Sequence, residues 1–490
     1  MAGTSASQAF DLPTDDQGKA TTLRLLFWGR TKEANPHMRG FWFATISFFW
    51  AFVGCFAFAP LMAVVREDIG LCDGFDEKGK CKCGAGTECN KLIGFSGLTA
   101  VASTIFVRVL LGGFLEKFGP RKVQVALLSL GALFVASSAA ITDATGLIVV
   151  RFCIGAVGAT FVTNQFWSSI LFNRKIVGMT NATAGGWGNL GGGVTQSLMP
   201  LIYGMFLNGF GMSKPASWRV SMFVPAAIFS IVAVLMWFFS QDTPCGKFDV
   251  TQLGKSKVSP VDYVQCLKDP RVLTMIMQYG ACFGTELVMN NRLALHFKDY
   301  DWSDGVVLSV AAAGLAASAF GLVNLFARSL GGIFSDVMFA RMGVPGRIWA
   351  QFLALALEGL WLLLFSHMTA FSAALPCLLL FSLGVQLAEG TSYGIVPFMI
   401  PQHLGPVSAM VGAGGNLGAV IATQLFYIQM KVDDDLIPYR VHAGCVLFWA
   451  LMTVFLYWSD ERGSMFTKGM AKNTEVEGAA PSQESAEVVA

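Results

Sequence analysis

Two arginines stand inside stretches that are otherwise apolar. Arg108 interrupts the run near 93–115, and Arg328 the run near 305–334. A guanidinium near the centre of a bilayer costs at least about 2.5–3.5 kcal/mol on insertion scales. Such a residue is expected to face a polar cavity and to have a counter-charge. Neither run supplies a carboxylate within one helical turn of its arginine, so the expected counter-charge is a visiting anion. Guanidinium is planar, permanently charged and presents paired N–H donors to paired oxygens. Two of them facing one another would grip a small planar oxyanion by its edges. The alternative is that each arginine pairs with helix carbonyls or with a carboxylate distant in sequence.

Two glycine-rich stretches come next, Gly185–Gly193 and Gly412–Gly418, each carrying one asparagine, Asn189 and Asn416. Glycine at this density lets helices approach backbone to backbone and exposes peptide groups to whatever lies between them. Each asparagine can donate an N–H to an anion or bond to a neighbouring helix. Three carboxyl groups also fall inside apolar runs: Glu286, Glu358 and Glu389. Intramembrane carboxyls are the usual stations of a coupled proton, and Glu286 lies two helical turns beyond Tyr279. Its structural alternative is to pair with Arg292 or Arg151, or to cap a helix break.

These side chains need a membrane scaffold. Of the 490 residues 54% are hydrophobic and 13% charged, against roughly 25% charged in soluble domains. A net charge of +2 with scattered Lys and Arg argues against a nucleic-acid partner. A helix needs about 20 apolar residues to cross about 30 Å of hydrocarbon. Twelve runs qualify, near 41–66, 93–115, 123–142, 146–170, 177–208, 217–240, 271–296, 305–334, 347–369, 371–397, 405–430 and 439–458. They are continuously apolar rather than alternating, which selects helices over a β-barrel. The expected fold is all-α and polytopic, with twelve transmembrane helices in two pseudo-symmetric six-helix bundles.

The expected organisation is a cytosolic segment 1–40, a first bundle 41–240, a cytosolic linker 241–270, a second bundle 271–458 and a disordered tail 459–490. No cleavable signal peptide is expected in the polar first forty residues. Lys117, Arg121, Lys122, Arg174, Lys175, Arg341 and Arg347 crowd the even loops, and the short odd loops 142–146 and 367–371 have no such charge. Both termini are therefore expected in the cytosol. The long odd loop 67–92 then faces outward with Cys72, Cys81, Cys83 and Cys89, where disulfides persist. Four cysteines allow three pairings, and a metal knuckle is the alternative, though the spacing fits no common zinc pattern.

The halves look duplicated. Arg108, Gly112 and Glu116 in the second span share their spacing with Arg328, Gly332 and Asp336 in the eighth, 220 residues on. Gly188-Asn189-Leu190-Gly191 in the fifth span matches Gly415-Asn416-Leu417-Gly418 in the eleventh, 227 residues on. Matched spans in two halves are what a duplicated transporter predicts, with cargo bound at the midplane between them. Glu116 and Asp336 end their helices beside basic residues, and with Lys117 and Arg121 they are expected to form a cytosolic gate latching the halves together.

The stretch Ala184-Gly185-Gly186-Trp187-Gly188-Asn189-Leu190-Gly191-Gly192-Gly193 resembles the first nitrate signature of the nitrate/nitrite porter family of the major facilitator superfamily, and Gly412–Gly418 the second. Gly112 through Lys122 is similar to the superfamily's gating loop. The likeness covers all twelve spans, and the short central loop resembles algal and plant members. It implies that Arg108 and Arg328 clamp the substrate, that Tyr279 contacts the anion and that Phe283 covers one face of it. A first-span phenylalanine fits Phe52 best, with Phe48, Phe49 and Phe56 competing. By residue type alone, Phe283 and Phe52 read as packing.

The expectation is thus import of nitrate, and perhaps nitrite, across a plasma membrane by alternating access with proton symport. Inward movement of an anion against an interior-negative potential is uphill by about 2.3 kcal/mol per 100 mV, so a coupled cation must drive it, and two protons per nitrate would suffice. No cofactor, metal or catalytic constellation is expected. The expected partners are the nitrate anion, protons, the lipid bilayer and, by the resemblance, a small single-span accessory protein. Rival readings are a nitrate/nitrite exchanger, a nitrate-sensing receptor signalling through its tail, and a carrier of sugars or larger organic anions.

Overall fold

The computed structural model describes residues 10–467 apart from 76–80, 84–86, 174–175, 247, 249–259, 401–403, 431–433 and 459–462. Lys247, Lys255 and Lys257 of the linker, Arg174 and Lys175, and most of the tail lie outside the described residues. Among the described residues, twelve long helical segments form the first and second halves. In the first they are α1 (Pro36–Asp68), α2 (Glu88–Phe118), α3 (Pro120–Ala140), α4 (Ala144–Leu171), α5 (Val177–Gly204) and α6 (Lys214–Phe239). In the second they are α7 (Pro270–Asp299), α8 (Val310–Met342), α9 (Val344–Phe365), α10 (Phe371–Ile395), α11 (Leu404–Ala422) and α12 (Ile437–Phe455). Eleven are long and apolar enough to cross a membrane. The other, α5, has 28 residues but is diluted by glycine, asparagine and threonine. The chain is a multi-pass membrane protein, and among the described residues only isolated β-bridges occur.

The ends of the helices follow local chemistry. Asn35 caps α1 by accepting from the Met38 N–H, and Thr87 caps α2 by accepting from Asn90. Both helices therefore start before the apolar runs, because a capping oxygen satisfies the orphan N–H groups of the first turn. Gly119 (φ 82°) stops α2 and Gly343 (φ 70°) stops α8, equivalent places in the two halves. A Cβ on Gly119 would also stand 2.7 Å from an Asp242 carboxylate oxygen.

Helix pairing repeats with a shift of six: α1 packs on α5 as α7 on α11, α2 on α4 as α8 on α10, and α3 on α6 as α9 on α12. The halves meet along α5 with α8 and α2 with α11, again a pair related by that shift. At the first seam a Cβ on Gly193 would lie 2.5 Å from the Gly321 backbone. Because the obstacle is backbone, no side chain can yield. Gly193→Val is expected to cost about 1–3 kcal/mol in the packed seam. The measurement is uptake normalised to surface expression, which should fall while expression persists.

Outside the bundles, Cys72 pairs with Cys81 and Cys83 with Cys89. The structure thereby selects one of the three pairings and removes the metal knuckle, since all four sulfurs are consumed in disulfides.

Candidate anion site

Arg108 and Arg328 lie on opposite halves and are 8% and 5% exposed. Each reaches the glycine-rich stretch of the other half. Arg108 donates from Nη1 to the Gly412 carbonyl at 3.3 Å on α11, and from Nη2 to the Gly158 carbonyl at 3.4 Å. The aliphatic stem of Arg328 passes 3.7 Å from the place a Gly186 Cβ would occupy on α5. Both arginines meet backbone that departs from α geometry. Gly158 lies in a 3-10 stretch, Ala156–Ala159, inside α4, and Val323–Leu325 breaks α8 just before Arg328. Interrupted helices at the midplane expose peptide groups to a cavity, which is where carrier substrates bind.

The two cations differ in their partners. Among the described residues no carboxylate pairs with Arg108, and its bonds to neutral carbonyls are long. Its guanidinium lies 5.1 Å over the Phe161 ring. Arg328 makes an ion pair with Glu389 of α10 at 2.5 Å and donates to the Tyr279 hydroxyl at 2.8 Å. The expectation that both arginines await an anion is therefore corrected for Arg328. The acid comes from a helix 61 residues further along the chain, beyond the reach of spacing along α8.

Tyr279 and Phe283 stack at 5.4 Å on α7, and Tyr393 of α10 meets the Tyr279 ring edge-on at 5.2 Å. Tyr393 lies in the field of both arginines and faces Gly412, where a Cβ would stand 3.2 Å from its hydroxyl. Sequence reasoning missed Tyr393 and Phe161; neither carries a signal beyond being an aromatic in an apolar run. Phe52 sits one ring back, against Phe48 at 4.6 Å, while Phe48 touches Phe161 at 5.5 Å. Asn189 is fully buried, and neither its amide oxygen nor its nitrogen has a partner among the described residues. The amide nitrogen of Asn416, 2% exposed, is likewise unpartnered. Buried amides are normally satisfied, so these two donors suit a polar guest.

Among the carboxyls, Glu286 accepts from Asn324 at 2.7 Å and faces Glu389. It does not pair with Arg292 or Arg151, which donate to Asn90 (3.0 Å) and Asn291 (2.5 Å). Glu286, Glu389 and Arg328 thus form one buried cluster. Glu358 is fully buried, and neither of its oxygens meets a hydrogen-bond donor among the described residues.

In this arrangement the described side chains of the expected gate, Lys117, Arg121 and Asp336, do not bridge the halves. Arg121 pairs at 3.5 Å with Asp242, at the start of the linker, and donates to the Ser240 carbonyl at 2.9 Å. Burial pushes the Asp242 carboxyl up, against the opposing pull of the Arg121 N–H and charge. Asp336 pairs with Arg347 at 2.8 Å within the second half, and Lys117 lies over Phe118. The side chain of Glu116 is outside the described residues. Besides Arg108 with Gly412, contacts cross on the disulfide-loop side: Arg66 binds Asp299 through both carboxylate oxygens at 2.6 and 2.9 Å. Gln196 donates to the Asn290 carbonyl at 2.6 Å, and Asn90 to that of Tyr427 at 3.0 Å. Arg66→Gln leaves Asp299 without this partner, so the closed state of that face should lose about 1–3 kcal/mol. Cysteine labelling from the disulfide-loop side of a residue lining the seam should then rise, and an unchanged labelling rate would refute the latch.

Two duplicated halves around buried cations define a membrane carrier, and comparison with known proteins agrees. The Major Facilitator Superfamily profile matches residues 41–423. In fold, the chain is similar to the nucleoside transporter NupG (TM-score 0.58, 14% identity, 86% of this chain and 100% of that one). It is similar in sequence to High affinity nitrate transporter 2.5 of Arabidopsis thaliana (37% identity, 86% of this chain and 80% of that one). It is also similar to Nitrate transporter 2.1 of Chlamydomonas reinhardtii (32%, 94% and 81%) and to the nitrate/nitrite transporter NrtP of Picosynechococcus (26%, 77% and 82%). The chain belongs to the Major Facilitator Superfamily and, within it, to the nitrate/nitrite porters.

Proposed function

We propose that this protein imports nitrate, and nitrite less selectively, by alternating access with proton symport. One observation carries the reading: Arg108 and Arg328 come from opposite halves, Tyr393 lies in the field of both, and among the described residues Arg108 has only neutral partners. A planar oxyanion between them would accept paired N–H donors from both, with Phe283 and Phe161 flanking the site and Asn189 and Asn416 supplying further donors. Binding across the seam lets the anion draw the halves together. The cross-half bonds on the disulfide-loop side are those of a carrier shut on that face. With basic even loops in the cytosol, that face is outside the cell, and the membrane is the plasma membrane.

Proton coupling rests on the Glu286–Glu389–Arg328 cluster. Protonating Glu389 would release Arg328 for nitrate, so proton and anion would bind in concert. The test is labelled-nitrate accumulation in proteoliposomes with and without an imposed proton gradient, alone and with a small single-span partner of the kind the resemblance implies. Accumulation driven by the gradient, competed by nitrite but not gluconate, is expected. Gradient-independent nitrate/nitrite exchange would replace symport with antiport.

A further inference from the structure

Two more arginines stand on the seam, nearer the disulfide loop than the anion site. Arg151 of α4 is 2% exposed, and Arg292 of α7 is part-buried. Each is held by an amide of the opposite half. Arg151 donates to the Asn291 side-chain oxygen at 2.5 Å and to the Ser96 hydroxyl at 3.0 Å, and Arg292 donates to the Asn90 side-chain oxygen at 3.0 Å. Both guanidinium groups come to one face of α2. The Nη atoms of Arg151 lie 3.7 Å from the place a Gly97 Cβ would occupy, and Nη1 of Arg292 lies 3.8 Å from that of Gly94. Residues three apart on a helix are neighbours, so the two cations stand side by side. Arg292 also lines a cavity of about 60 Å³ together with Asn90, Asp299 and Asp435. Asp299 already holds Arg66, and among the described residues no carboxylate pairs with Arg151.

The helices set this pair on the way to the anion site. On α4, Arg151 stands seven residues before Gly158, whose carbonyl holds Arg108. That is two turns, or about 10 Å, nearer the disulfide-loop end. On α2, Gly94 and Gly97 precede Arg108 by 14 and 11 residues in the same direction, about 16–21 Å along the axis. Between the two levels the seam carries donors without partners. The Asn290 carbonyl accepts from Gln196, but its amide nitrogen has no partner among the described residues and lies 2.9 Å from the place of a Gly192 Cβ. One turn further along α5 towards the anion site stands Asn189, also unpartnered. A latch built only to hold is served by a carboxylate, as Asp299 serves Arg66. An amide oxygen is a weaker, neutral acceptor that a charged oxyanion can displace.

We propose that Arg151 and Arg292 form an outer anion station, which captures a small oxyanion when the disulfide-loop face opens and passes it inward past Asn290. The station rests on the carrier reading above for its cargo and for which face is outside the cell. Opening parts the halves, so Asn291 leaves Arg151 and Asn90 leaves Arg292. Two cations lose their acceptors in one movement, and an external anion takes the place of the amide oxygens. When the anion moves on, the amides return and shut the seam behind it. Low-dielectric walls lined by one sign of charge raise capture rates by about ten- to a thousandfold. Asp435 stands beside Arg292 in the cavity and screens it, so Arg151 has the larger share of the effect.

The test is nitrate-evoked current in oocytes expressing the full chain, fitted for half-saturating external nitrate and for maximal current per surface molecule. Arg151→Gln keeps a donor for Asn291 but removes the charge. Its half-saturating concentration is expected to rise at least about tenfold, the change falling there rather than on maximal current. Arg292→Gln should shift the same way by less. Asn291→Ala strips the latch and leaves the cation, so its half-saturation should fall or stay parental. A mere latch predicts that Arg151→Gln and Asn291→Ala behave alike, and that outcome overturns the station. A parental half-saturation in Arg151→Gln overturns it too, as does a loss of maximal current alone. Should Arg151→Gln fail to reach the surface, Arg292→Gln set against Asn90→Ala supplies the same opposed pair. Absence of nitrate current in the parent would overturn the carrier reading instead.

Discussion

Arg108→Lys and Arg328→Lys should each nearly abolish nitrate-evoked current in oocytes at unchanged surface expression. Lysine preserves charge, so any residual current isolates the value of the planar fork. Losing one charge-assisted bidentate contact is worth about 1.5–3 kcal/mol, or roughly tenfold to more than a hundredfold in apparent affinity. The two variants should also differ. Arg108 is held by weak neutral bonds, so its lysine variant should lose affinity with little change in pH dependence. Arg328 is bound to Glu389, so its lysine variant should alter the pH profile as well. Parental currents in either variant would remove that arginine from the site.

Glu389→Gln is expected to separate binding from driving. A buried acid that leaves its cation unpaired exposes an uncompensated charge, at a cost of about 3–5 kcal/mol. The nitrate-free variant should therefore melt lower than the parent, and nitrate should restore more of the loss than it adds to the parent. Nitrate binding should become less sensitive to pH, because Arg328 is released permanently rather than on protonation of its partner. Counterflow should persist and gradient-driven accumulation should collapse. Accumulation at the parental level would show that the proton does not pass through this pair.

The site was partly legible in the chain. Arg108 and Arg328 announced themselves because charge in an apolar run is costly and therefore purposeful. The two Gly-Asn-Leu-Gly stretches did so because they repeat, and the structure brings Gly186 and Gly412, just ahead of them, to the arginines of the opposite half. What spacing could not reach was the third dimension around each arginine. Glu389 is on another helix, Phe161 and Tyr393 are aromatics among a chain's 41 Phe and 8 Tyr, and the Arg66–Asp299 latch joins residues 233 positions apart. Spacing could not reach the partners of Arg121 and Asp336 either: in this arrangement they pair with Asp242 and Arg347 rather than across the seam.

By itself, the chain determined the number of spans, the duplication and the two cations, since the hydrocarbon slab sets helix length and penalises every charge it contains. Tertiary structure alone decided which cation keeps a resident acid, which disulfides form and which face is latched. Those outcomes depend on which helices become neighbours, and neighbours in a bundle are chosen by packing across the seam rather than by distance along the chain.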